Sequence, residues 1–234
     1  MGTFSTKSRN TEVCPTLRLG FDEVLADQDA PEPPQLLSLL ASVLEKTIHK
    51  NEKFLKRSRV KDGVTIFHGL RPPALSIRQY IERIFKYSNC SPSCFLVAYI
   101  YMDRFLQGTS SYLTALNAHR LLISCVLLAA KFLEDACFNN AYYAKVGGVS
   151  TTEMNKLELK LLFSLNFRLN VTLQTFDEYC QLLETEGSRI GNRSNWQIER
   201  ALQGCGLRGV WMNKEEPKCS STSKLASYST CRAI

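Results

Sequence analysis

The sequence predicts an all-α fold, and three observations carry that expectation. Apolar residues recur every three or four positions in one segment after another. No segment sustains the two-residue alternation of a half-buried strand. Capping and stop residues separate the periodic segments at short links.

Residues 1–34 are polar and close on Ala30-Pro31-Glu32-Pro33-Pro34, a flexible leader with a proline stop. From Gln35 the residues Leu36, Leu37, Leu39, Leu40, Val43, Leu44 and Ile48 predict an amphipathic helix over 35–52. A basic loop follows, carrying Lys53, Lys56, Arg57, Arg59 and Lys61. Ser76 reads as the N-cap of a helix whose apolar face is Ile77, Tyr80, Ile81, Ile84 and Phe85. Ser91-Pro92 opens the next helix, with serine as cap and proline at the first position, and Gly108 is its expected stop.

The central helix is expected over 115–135. Its run from Leu121 to Ala130 is apolar on every face, the pattern of a helix buried on all sides. A short helix over 139–146 ends at Gly147-Gly148. Ser150 with Glu153 predicts a capping box for a helix to about Leu165. Thr172 caps a last amphipathic segment, with Gly187 as its stop. Residues 187–234 lose the pattern, apart from a turn or two over 195–202, and read as a basic, serine-rich, largely disordered tail.

The 234 residues support one or two domains with a real core. The net charge of +7 divides into −3 over 1–35, +5 over 36–186 and +5 over 187–234. A short basic tail is more often solvated than bound to nucleic acid, so nucleic acid is not an expected partner. The apolar runs are too short to span a membrane. Met1 to Lys7 lacks a secretory apolar stretch, and Gly2 with Ser5 and Thr6 resembles a myristoylation signal only weakly. The expected setting is intracellular, nuclear or cytoplasmic or both, with nine reduced cysteines.

Chemistry finds little footing. Cys90 and Cys94 stand four apart without a histidine pair, so no metal is expected. His49, His68 and His119 match no catalytic spacing, and no glycine loop of the phosphate-binding kind is present. The expectation is a protein without catalytic residues and without a cofactor.

Lys131 places a charge at the end of the apolar run. Such a charge needs a partner or an edge. Glu158 sits at the margin of a later helix's apolar face, and the spacing alone favours an internal Lys131–Glu158 bridge over a site for another molecule. A structural bridge between Arg78 and Asp103 is expected to orient the two helices that carry them.

Met102-Asp103-Arg104-Phe105-Leu106 and Ala129-Ala130-Lys131-Phe132-Leu133-Glu134 together resemble the second- and third-helix motifs of a cyclin box. Leu157-Glu158 and Leu165-Asn166-Phe167-Arg168-Leu169 resemble its fifth helix and the residues that close it. The match covers roughly 36–186 and is most similar to plant P- and U-type cyclins, the group like the yeast phosphate-regulating cyclin. It implies a single five-helix box with an extra N-terminal helix and a C-terminal flanking helix, a domain spanning 35–186.

The resemblance also implies a function: a regulatory subunit that binds and activates a cyclin-dependent kinase, in cell-division or nutrient (phosphate) control. A kinase must bring the glutamate of its mobile C-helix to its conserved lysine before ATP is oriented. The implied partner is a kinase with a PSTAIRE-type C-helix. Lys131 and Glu158 would bond its backbone, while Leu128, Phe132, Phe167 and Leu169 would form an apolar seat. With these residues the resemblance reverses the preference for an internal bridge. One departure stands out. The first-helix groove that docks substrates in cell-cycle cyclins carries a tryptophan, whereas here Ile84 takes that place and Tyr80 fills an aliphatic one. The alternative implied by the fold is a transcription adaptor that binds DNA and protein without a kinase.

Overall fold

The computed structural model describes residues 34–58 and 63–189, the side chains of 187–189 excepted. The leader, the positively charged Arg59 and Lys61, and the tail with its 195–202 segment lie outside the described residues.

Among the described residues seven helices follow one another: α1 (Gln35–Ser58), α2 (Ile77–Ser88), α3 (Pro92–Thr109), α4 (Ala118–Leu133), α5 (Asn140–Gly147), α6 (Thr151–Ser164) and α7 (Leu173–Arg189). No strand occurs among the described residues. Every residue from Leu121 to Ala130 is buried, none more than 3% exposed. α4 is therefore the central helix, against which α2, α3, α5 and α6 pack, while α1 and α7 lie against α3 and each other.

The helix ends show where local chemistry was read correctly and where packing overrode it. Ser76 makes the full capping box, its hydroxyl accepting from Gln79 N while the Gln79 side chain accepts from Ser76 N, both at 3.2 Å. Ser150 Oγ accepts from Glu153 N at 3.1 Å, but the Glu153 carboxylate turns to Arg120 at 2.5 Å, so the second half of that box is not made. Ser91 does not cap α3 with its side chain. Its hydroxyl and backbone N–H both donate to Glu134 Oε1, at 2.7 and 3.0 Å, and this ties the start of α3 to the end of α4.

Two expected glycine stops are corrected. α3 runs through Gly108 to Thr109, and Ser110 takes the left-handed position at φ 50°. α7 runs through Gly187 to Arg189. A glycine permits an ending but does not impose one. Gly148, at φ 71°, does end α5 as expected. α1 extends six residues past its predicted end at 52, to Ser58, and α4 begins three residues late because Thr114 to Asn117 form a turn closed by Asn117 Oδ1 on Thr114 N (2.8 Å).

Candidate functional site

Two ion pairs join α4 to α6. Arg120 in the first turn of α4 meets Glu153 in the first turn of α6 at 2.5 Å, and Lys131 in the last turn of α4 meets Glu158 Oε1 at 2.6 Å. The helices thus run in the same sense, with the end of α4 beside the middle of α6. Lys131 reaches an edge as its charge demands, and its partner there is within the chain. Its side chain is 36% exposed and that of Glu158 only 14%. The second carboxylate oxygen, Oε2, accepts from Asn140 Nδ2 at 2.6 Å. Asn140 Nδ2 also donates to Asn155 Oδ1 at 2.7 Å, so α5 braces the pair from the side.

The pair retains bonding capacity. An ammonium has three protons and Lys131 spends one within the chain; each Glu158 oxygen has a second lone pair. Lys131 and Glu158 can hold each other and still bond a third group arriving from solvent.

Exposed aromatic side chains follow Lys131 in α4 and close α6. Phe132, next to Lys131, is 44% exposed; Phe167, just past α6, is 58% exposed. Phe163 stands edge-on to Phe167 with ring centroids 5.3 Å apart, and it is exposed as well. Sequence reading missed Phe163.

Phe167 is held out by its backbone. Asn166 and Phe167 both adopt left-handed φ, 50° and 56°. That conformation is uncommon for asparagine and costly for phenylalanine. α3 supplies the restraint. Tyr101 Oη donates to Leu169 O at 2.6 Å, and Arg104 Nη1 donates to Arg168 O and Asn170 O at 3.0 and 3.1 Å. The Asp-Arg-Phe-Leu motif therefore positions the segment that closes α6. Leu169 is partly buried against the core.

Two expectations are corrected. Leu128 is 3% exposed, so it lies under the surface and not in an apolar seat. Arg78 and Asp103 are not paired. Arg78 Nη2 donates to Ser42 Oγ at 2.7 Å and stands 4.0 Å from Glu45, because α1 lies against α2 and intercepts it. Asp103 accepts from Gln107 at 2.7 Å and from the Tyr179 hydroxyl, because α7 covers that side of α3. Each flanking helix takes one partner of the expected bridge.

On α2, Ile84 is fully buried and Tyr80 is 5% exposed, its hydroxyl donating to Gly147 O at 3.1 Å. Among the described residues no group of acidic, cysteine and histidine side chains could hold a metal, and no helix is long and apolar enough to cross a membrane. The five described cysteines are free thiols.

A family model described as Cyclin matches residues 35–169. The chain is 54% identical to Cyclin-P3-1 of Oryza sativa subsp. japonica, over 98% of this chain and 96% of that relative. It is 45% identical to Cyclin-U3-1 of Arabidopsis thaliana over 92% and 93% of the two chains. Cyclin-U4-1 of the same plant is 52% identical, over 65% of this chain and 76% of its own length.

Proposed function

This chain belongs to the cyclin family, and from that premise we propose that it binds and activates a cyclin-dependent kinase through the rim where α4 and α6 end. Cyclins are regulatory proteins, and its relatives among the plant P- and U-type cyclins agree with that role. The finer reading is a kinase with a PSTAIRE-type C-helix, in control of cell division or of the response to phosphate, within the nucleus, the cytoplasm or both.

The observation that carries it is the Lys131–Glu158 pair, with unspent bonding capacity, and the exposed Phe132 next to Lys131 in the chain; Phe163 and Phe167 add an exposed aromatic pair at the end of α6. A small apolar cluster flanked by a preorganised charged pair is a strong docking composition. The residues assigned are Lys131 and Glu158 as hydrogen-bonding groups for the partner's backbone, and Phe132, Phe167 and Leu169 as contact surface, with Leu128 beneath them. Docking would favour the kinase conformation in which the C-helix glutamate faces the conserved lysine, which is activation as a population shift.

The test is co-purification with a PSTAIRE-type kinase, followed by a phosphorylation assay. Wild type should form the complex and raise kinase activity. Lys131→Ala and Phe132→Ala should each weaken binding by roughly tenfold. Failure of wild type to bind sinks the reading, and unchanged binding by both variants removes the rim from it. Salt-sensitive retention on DNA without kinase binding would instead favour a transcription adaptor.

A further inference from the structure

At the other end of α4 a cavity of about 450 Å³ opens between α2, the 69–75 loop and the Gly147-Gly148 turn. Arg71, Arg83, His119 and Arg120 contribute to its wall, and among the described residues no carboxylate does. Arg120 is already satisfied, by Glu153 at 2.5 Å and by His68 O at 3.1 Å. Arg83 is not. Its Nε is sealed from solvent without a hydrogen-bond partner, and its guanidinium has no ion pair among the described residues. Arg71 is exposed and likewise has no ion pair among them. His119 Nε2 donates to Leu75 O at 2.8 Å, and its Nδ1 has no partner.

A half-buried guanidinium without a counter-ion carries a desolvation cost that a bound anion relieves. The planar fork of arginine fits the oxygens of a phosphate in a bidentate way. The wall is not polar throughout: Leu70, Pro73, Leu116 and Val149 line it too, with Leu70 wholly exposed. A free anion has no use for such a wall, whereas a peptide does.

We propose that this cavity docks a phosphorylated segment of another protein, its phosphate held by Arg83 and Arg71 and its neighbouring apolar side chains laid on Leu70, Pro73 and Leu116. Arg120 is spent on Glu153, so the charge that meets the phosphate comes from Arg83 and Arg71. Lys131 lies about 16 Å further along the helix axis, at ~1.5 Å of rise per residue, so the kinase-docking rim stays free. Delivery of that protein to a bound kinase rests on the function proposed above; the binding itself does not.

The test is fluorescence polarisation with this chain alone and a short labelled peptide carrying one phosphoserine between leucine and proline. The phosphopeptide should bind at least about tenfold more tightly than its unphosphorylated twin. Arg83→Gln should lose about tenfold, Arg83→Lys less, and the exposed Arg71→Gln, which has no fold to disturb, several-fold. Lys131→Ala and Phe132→Ala should bind like wild type, so a failed kinase experiment leaves this result standing. Equal binding of the two peptides overturns the proposal, as does wild-type affinity in both Arg83→Gln and Arg71→Gln. Inorganic phosphate that competes as strongly as the phosphopeptide also overturns it, in favour of a free-anion site.

Discussion

Lys131 and Glu158 show how far single residues could be read. Spacing alone favoured their meeting, because an ion at the end of an apolar helix has few places to go; the resemblance set that preference aside for a partner outside the chain, yet the bridge is made within it. The second tie on Glu158, from Asn140, was not legible, since a neutral amide leaves no mark in the charge pattern. Arg78 and Asp103 failed for a related reason: each had more than one acceptor or donor in reach, and α1 and α7 decided between them. His119 makes its own prediction. Burial lowers its pKa below 6.5, against a smaller opposing effect of its bond to Leu75 O. The unfolded chain therefore takes up this proton first as pH falls. Stability from this group is complete above about pH 6.5 and is lost as acidity increases toward the lower folded value. The melting temperature should fall on acidification from pH 7 to 5.5, and His119→Gln should flatten that slope; an unchanged slope would remove His119 as a cause.

Among the described helices, existence and order were legible throughout, because apolar patterning and the turn residues between the segments agree. Ends were less so. Ser91 spends its hydroxyl on Glu134 and Glu153 spends its carboxylate on Arg120, long-range choices that a local capping rule does not contain. Gly147 shows what one helix demands of another. A Cβ there would stand 2.9 Å from Ile123 Cγ1 and 3.2 Å from the Tyr80 hydroxyl, so α5 approaches α4 and α2 as closely as it does only with glycine. Gly147→Ala should cost about 1–3 kcal/mol in chemical denaturation by overpacking. Gly148→Ala meets no atom within 4 Å but inherits φ 71°, so its smaller loss, about 1 kcal/mol, comes from the backbone alone.

At the scale of the molecule, α4 separates two surfaces of different character. One end carries the salt-bridged rim with its aromatic side chains, the other the arginine-lined cavity. Lys131 and Glu158 stood out through their resemblance to a known box, whereas the cavity is assembled from α2, α4 and two loops whose arginines are far apart in sequence. The separation predicts independence. Saturating phosphopeptide should leave the Kd for the kinase unchanged within about twofold, measured by biolayer interferometry; competition would place both ligands on one surface.

Phe167 sits at the rim with a backbone conformation that folding alone would assign to glycine. Its ring is more than half in water, so its burial contributes little to offset that conformation. Phe167→Gly should therefore leave the melting temperature nearly unchanged while weakening the kinase complex. A sequence drifting under selection for stability alone would have no reason to keep this side chain. Its presence is the kind of record that an obligation to another molecule leaves in a chain.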